Sequence, residues 1–155
     1  MKVLLLSLSW LLVFVAGFAT GVYLLPILSA PPAPTSAQVR AAAEGAVYRG
    51  QFRRDLRGSD LFHWGEGEVN VGPAAVVLEG RLAPGPAYRL YLTPGFVEDD
   101  DGFQRIQPRA RAVGEVRTFE NFVVPMPAGI RLEDYDTVVV WCEGFSRFIT
   151  AAKYR

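Results

Sequence analysis

The pattern of apolar and polar positions divides the chain into three parts. From Val3 to Leu25 no residue is charged, and a helix of this length reaches roughly 34 Å, enough to cross a bilayer. The stretch from Ala30 to Ala37 is rich in proline and alanine, which is typical of an extended spacer. Beyond Val47 the apolar residues recur with a period of two. The pattern therefore predicts a transmembrane segment over residues 1–26, a linker over residues 27–46 and a folded domain over residues 47–155.

Period-two patterning in the folded part predicts strands. Polar and apolar residues alternate around Val69–Val71 and over Tyr88–Leu92, which is typical of half-buried strands. Ala74–Leu78 and Val138–Cys142 are continuous apolar runs, as in strands covered on both faces. Glycine and proline separate these runs throughout. We expect an all-β domain, either a small β-sandwich or a barrel of short antiparallel strands.

The length of the first apolar run favours an uncleaved membrane anchor, because the apolar core of a signal peptide is shorter. Lys2 precedes the run and the next basic residue is Arg40. The positive-inside rule then places the N-terminus in the cytoplasm and the domain outside, in the periplasm or at the cell surface. Secretion after signal cleavage is the alternative.

Charge excludes one large class of function. The chain has 16 basic and 16 acidic residues and a formal net charge of zero, so it lacks the basic field that nucleic-acid binding needs. It also lacks a nucleophile elbow, a Walker loop and a zinc-protease motif, and we do not predict an enzyme. The acidic stretch Glu98–Gly102 resembles the start of a calcium loop without its later ligands, and a solvated acidic loop is the better interpretation.

Cys142 is the only cysteine, which is unusual in an exported domain, since it cannot form an internal disulfide. It shares strand parity with Val138 and Val140, so its side chain is expected on the core side. Buried filler is one interpretation of this residue. An intermolecular disulfide and a metal ligand are two others. A reactive thiol is the fourth, and it would need a nearby cation, for which Arg147 is a candidate, or hydrogen-bond donors.

The chain also has a single histidine, His63. Together, His63 and Cys142 offer two ligands of the kind that copper or haem iron accepts. Two ligands are too few for a zinc or blue-copper site, so the sequence requires no cofactor, and haem or copper is only a minor alternative. The histidine can equally pack near a strand entry and bond a backbone carbonyl.

Several motifs together resemble one family, the DM-thirteen domain, over essentially all of Val47 to Tyr154. They are Gly50-Gln51-Phe52, His63 followed by Gly67 to Val71, the strand Tyr88 to Leu92, and Tyr135 to Phe145 with its Trp141-Cys142-x-x-Phe145 ending. The resemblance implies an electron-transfer domain, secreted or membrane-anchored in bacteria, with a redox role for the cysteine. It marks Phe52, Gly67, Trp141 and Phe145 as motif or structural positions and Cys142 as the redox thiol.

Two functions from different classes follow. The first is a membrane-anchored extracytoplasmic redox accessory that uses Cys142, is held in the membrane through residues 3–25 and meets an envelope redox protein. The second is a non-catalytic adhesion or interaction module of the cell envelope in which Cys142 is buried and structural.

Overall fold

The computed structural model describes residues 1–155. Three α-helices, eight strands and two short 3₁₀ turns succeed one another along the chain. The elements are α1 (Lys2–Ser29), α2 (Ser36–Ala43), β1 (Tyr48–Phe52), β2 (Gly65–Val71), β3 (Ala75–Leu82), β4 (Tyr88–Thr93), α3 (Asp100–Ile106), a 3₁₀ turn (Gln107–Arg109), β5 (Arg111–Val116), β6 (Glu120–Pro125), a second 3₁₀ turn (Leu132–Asp134), β7 (Thr137–Cys142) and β8 (Arg147–Lys153).

The strands form two four-stranded sheets. One has the order β1-β2-β3-β6 and the other the order β5-β4-β7-β8, and all neighbours are antiparallel. The main core lies between the sheets, where side chains from both inner faces meet. The expected short antiparallel strands are thus confirmed, and they form a sandwich of two sheets.

Strand β7 is buried on both faces, as its continuous apolar run predicted. Val138, Val140 and Cys142 belong to the main core, while Val139 and Trp141 face a second cluster on the outer side of the sheet. All six residues of β7 are buried. The predicted parity of Cys142 with Val138 and Val140 is therefore confirmed.

The outer face of this sheet is covered by α3, which the sequence did not predict. Asp99 caps the helix, since its Oδ1 accepts a hydrogen bond from the Gly102 N–H at 2.7 Å. Phe103 of α3 packs on Trp141 with ring centroids 4.6 Å apart. The acidic stretch Glu98–Gly102 is thus the start of a helix. α3 also covers Tyr91 of β4, which is buried in the outer cluster against Phe103.

The N-terminal elements comprise one long helix and one short one. α1 is long and apolar enough to cross a membrane, a property that signal sequences share. α2 begins at a capping box formed by Thr35 and Gln38, and its Val39 is buried against β3 and β6. Between the helices, the Asn121 side chain donates a hydrogen bond to the Pro34 carbonyl at 3.2 Å. The linker over residues 27–46 is therefore attached to the sandwich at both Pro34 and Val39.

Candidate functional site

The single thiol lies where β7 ends. Cys142 pairs with Tyr88 of β4 on one side and Arg147 of β8 on the other. Only 3% of its surface is exposed, and its Sγ donates a hydrogen bond to the Pro86 carbonyl at 3.1 Å. The side chain therefore occupies the edge of the main core.

The surroundings of the thiol favour its neutral form. Burial raises the pKa of Cys142, because a thiolate would lose its hydration. The nearby backbone N–H groups of Phe145 and Gly144, in the turn after β7, lower the pKa in part, while the Glu143 carboxylate adds to the rise. The net pKa lies above its ordinary value, so the resting residue is a protonated thiol at neutral pH.

Next to the thiol is a largely apolar cavity of about 390 Å³, which we call the thiol cavity. It lies between the C-terminal half of α1 and one end of the sandwich. Its walls are Phe18, Ala19, Val22 and Tyr23 of α1 together with Phe62, His63, Pro84, Gly85, Pro86, Tyr88, Cys142, Phe145 and Ile149. The structure thus brings the two predicted chemical residues, His63 and Cys142, to one cavity.

The carboxylate of Asp60, which the sequence did not predict as a site residue, fixes the orientation of the His63 ring. The Nδ1 of His63 lies 2.8 and 2.9 Å from the two oxygens of Asp60. Asp60 Oδ1 also accepts the N–H groups of Phe62 and His63, at 2.7 and 2.8 Å. Because Asp60 occupies Nδ1, only Nε2 is left to act on a group in the thiol cavity.

Asp60 stays ionised in this arrangement. Partial burial raises its pKa, but the hydrogen bonds from His63 and from the Phe62 backbone lower it more, and the net pKa lies below its usual value. An aspartate three residues before a histidine, folded in a turn, is the signal in the sequence that could have identified this pair.

Arg147, predicted as a cation for the thiol, instead binds carboxylates. Its guanidinium lies 2.6 Å from Asp100 and 3.9 Å from Asp60. Asp100 also accepts the Phe148 N–H at 2.6 Å, which connects the start of α3 to β8. Arg147 therefore links the Asp60–His63 pair to α3, and it is not among the groups that shift the pKa of Cys142.

The chain contains no group of three or more His, Cys, Asp or Glu side chains placed to hold a metal ion. His63 and Cys142 share one cavity as two possible ligands. A metal there would have to take its remaining ligands from another molecule, and the metal role of this pair stays a prediction.

The four motif residues occupy different environments. Phe52 is buried in the main core and Trp141 in the outer cluster under α3. Gly67 lies in β2 with φ of 125°, a conformation that L side chains rarely adopt. Phe145 is exposed at the mouth of the thiol cavity. Three of the four thus shape the sandwich, and the fourth borders the cavity.

Comparison with known protein families gives one match. The family model described as "Electron transfer DM13" matches residues 51–154, which includes every strand residue from β2 to β8 and all residues of the thiol cavity outside α1. No match was found among curated proteins or solved structures.

Proposed function

This chain belongs to the DM13 electron-transfer family, and we propose that it is a membrane-anchored extracytoplasmic redox accessory whose working group is the Cys142 thiol. The anchor would be α1, with the N-terminus in the cytoplasm and the sandwich outside, in the periplasm or at the cell surface. The partner would be another redox protein of the envelope.

The observation that carries this proposal is that Cys142 and His63 line the same cavity. Asp60 holds Nδ1 of the imidazole, so a neutral His63 has its lone pair on Nε2. A nitrogen in that state can take the proton of a thiol, and a thiol must lose its proton before it attacks. Asp60 is the positioning residue in this scheme, since it acts only through the histidine.

The chemistry is thiol–disulfide exchange. The Cys142 sulfur attacks one sulfur of a partner disulfide R–S–S–R′ and forms Cys142–S–S–R as the bond between the two partner sulfurs breaks. The thiol proton passes to His63 Nε2 and then to the departing R′–S⁻, which leaves as R′–SH. A further thiol from the partner attacks the mixed disulfide and restores Cys142–SH. In each step one sulfur is oxidised to the disulfide level and another is reduced to the thiol level, so the partner disulfide is exchanged and Cys142 is regenerated as a thiol.

The burial of Cys142 favours the second candidate, a non-catalytic adhesion or interaction module. The residue packs in the main core, donates to the Pro86 carbonyl and has a raised pKa, all of which suit an inert structural cysteine. In that case the surface loops bind the partner and the thiol contributes only to stability.

Alkylation of Cys142 in the full chain, reconstituted in membranes, separates the two candidates. Iodoacetamide is added at a series of pH values to the native chain and to the chain unfolded in urea, and the modified fraction is followed by mass spectrometry. The proposal expects the native thiol to react before the domain unfolds. It also expects His63→Gln to slow the native reaction without altering that of the unfolded chain.

Arg131→Gln is the matched control, because Arg131 is an exposed, ion-paired residue in the connection before β7, at the opposite end of that strand from Cys142. It should leave the native rate unchanged. Protection of Cys142 until the domain unfolds, in parent and variants alike, would rule out the redox proposal and support the structural role.

A second test looks for the covalent intermediate in the native host. Cells are quenched with acid and alkylated, and the chain is analysed without reductant. The redox proposal expects a disulfide-linked species that reductant removes and that Cys142→Ala abolishes. If the parent chain migrates only as free monomer while it is present in the membrane, no thiol–disulfide exchange takes place at Cys142.

A further inference from the structure

Three large apolar side chains project at the Cys142 end of the sandwich. Leu61 is 81% exposed, and Phe62 and Phe145 are each 58% exposed. We call these three residues the apolar rim. Two of them, Phe62 and Phe145, border the mouth of the thiol cavity. Large apolar side chains grouped in this way on an otherwise charged domain mark a surface that contacts another phase or molecule.

The apolar rim lies against the C-terminal half of α1. The rings of Tyr23 and Phe62 meet edge to face with centroids 6.4 Å apart. Phe18 and Val22 of the helix line the same cavity as Phe62 and Phe145. The position of the rim is therefore fixed relative to the apolar helix.

The length of α1 gives the depth of that contact. A hydrocarbon layer about 30 Å thick takes about 20 helical residues, so a span that begins at Val3 leaves the layer near Val22. Tyr23 then lies at the interface, where tyrosine is enriched in membrane proteins. Phe18 lies about 7.5 Å deeper than Tyr23, at 1.5 Å per residue. Phe62 and Phe145 border the same cavity as Phe18 and Tyr23. Their side chains therefore lie within about 5–10 Å of the membrane surface, the depth at which interfacial apolar groups reside.

Charge does not oppose this placement. The two carboxylates next to the rim in sequence are Asp60 and Glu143. Arg147 lies 3.9 Å from Asp60, and Arg89 lies 4.0 Å from Glu143. Each acidic side chain thus has an arginine within 4.0 Å, although Arg147 is shared with Asp100, and these arginines reduce the repulsion of anionic headgroups.

We infer that the apolar rim of Leu61, Phe62 and Phe145 docks into the interfacial layer of the same membrane that α1 spans. The occupant of this surface is lipid, at the level of headgroups and upper acyl chains. The mouth of the thiol cavity then opens at the membrane surface, and a molecule reaching Cys142 enters from there. The inference depends on the proposed anchoring by α1 and is independent of the redox chemistry.

The experiment measures the environment of Leu61 in the full chain. Leu61→Cys is labelled with an environment-sensitive nitrobenzoxadiazole dye and reconstituted into phosphatidylcholine–phosphatidylglycerol vesicles, at most one chain per vesicle. Lipids carrying a doxyl group at a shallow or a deep acyl position are included as quenchers. We expect blue-shifted emission that the shallow quencher reduces more than the deep one.

Ala128→Cys is the matched control, since this exposed residue follows β6 at the end of the sandwich away from Cys142. Its dye should emit as in water and escape both quenchers. The parent chain, treated in parallel, reports any labelling of Cys142 itself, and circular dichroism and thermal unfolding verify that each variant is folded.

Two results would overturn the inference. Emission from position 61 that matches the control at position 128 would mean that the rim faces water. Blue-shifted emission that no doxyl lipid quenches would mean that other parts of the chain, and not lipid, cover it. Alkaline carbonate extraction of the same vesicles tests the anchor separately, so loss of the whole chain into the supernatant is distinguished from an anchored chain with an undocked rim.

Discussion

At the scale of the residue, Cys142 combines two opposing requirements. Its packing in the main core and its bond to Pro86 stabilise a neutral thiol, whereas exchange chemistry needs a thiolate. A low resting pKa is one solution to this conflict, and the raised pKa of Cys142 excludes it here. Another solution is a base that removes the thiol proton only when substrate is present. His63, oriented by Asp60, is the group in the cavity that can act as this base.

The raised thiol pKa predicts a specific loss of stability at alkaline pH. Above about pH 8.5 the unfolded chain ionises Cys142 first, so the free energy of unfolding falls until the folded thiol ionises too. Tyr91, whose pKa burial raises to about 12, adds to the fall above about pH 10. Urea unfolding between pH 7 and 10 should therefore show a steeper decline for the parent chain than for Cys142→Ala.

Below about pH 10 the difference between parent and Cys142→Ala isolates the thiol, because the tyrosines of the unfolded chain ionise only near that pH. Parallel curves for the two proteins would mean that the folded thiol ionises at its ordinary pKa.

At pH 7 the Cys142→Ser change should lower the free energy of unfolding by about 1–2 kcal/mol, since it introduces a more polar group at a buried position.

At the scale of the element, the pairing of β2 with β3 depends on two opposed glycines. Gly67 lies opposite Gly80 in the ladder and has φ of 125°. A Cβ at Gly67 would collide with the carbonyl oxygen of Glu79, and one at Gly80 with that of Glu66. The two strands thus approach more closely here than side chains permit, and this explains why the motif contains glycine at position 67.

Gly67→Ala should therefore be strongly destabilising. The backbone strain at positive φ costs about 1–3 kcal/mol, and relief of the collision requires β3 to move. We expect a loss of about 3 kcal/mol or more in urea unfolding. Gly45→Ala is the control, since its Cβ meets nothing within 4 Å and its φ is not positive, and it should change stability little. Equal stabilities for the two variants would refute the role assigned to Gly67.

The elements differ in how far the sequence predicts them. The run Val138–Cys142 predicted a doubly covered strand because every residue in it is apolar, apart from the small thiol. α3 could not be predicted in the same way, because seven residues with Phe103 as the single buried anchor give no helical periodicity. Its signal was the cap Asp99, which in the sequence is hidden among four consecutive acidic residues.

At the scale of the whole molecule, orientation decides whether the proposed chemistry is possible at all. Lys2 lies on one side of the apolar run, and the following basic residues lie beyond it. Placing the sandwich outside the cytoplasm exposes Cys142 to an oxidising compartment, where disulfide partners persist. On the cytoplasmic side the same thiol would remain reduced.

The proposed orientation can be tested in intact cells with the Ala128→Cys variant. A membrane-impermeant maleimide should label this exposed residue without permeabilisation, and the parent chain, treated in parallel, gives the background labelling of Cys142 that is subtracted. Labelling that appears only after the membrane is permeabilised would place the domain in the cytoplasm. A labelled chain found in the medium would indicate signal cleavage and secretion.

The candidate site was only partly predictable, because it depends on how segments that are distant in the sequence pack together. The sequence identified His63 and Cys142 as the chain's single histidine and single cysteine, but 78 intervening residues and two sheets separate them along the chain. Whether they share a cavity depends on how the turn before β2 packs over the end of β7. The contribution of α1 to the cavity wall depends likewise on packing between distant segments, which strand periodicity does not encode.

The short connection between helix and sandwich has a consequence for the way partners are found. The hydrogen bond from Asn121 to Pro34 and the burial of Val39 restrict the movement of the segment that follows α1. A domain on a long flexible linker would reach partners throughout the solvent near the membrane, whereas this domain moves together with its helix. In the proposed membrane-anchored state, encounters occur by lateral diffusion in the plane of the membrane. Their rate depends on the number of partners per unit area, so a partner that is itself membrane-bound gains a large advantage over one dissolved in the surrounding compartment.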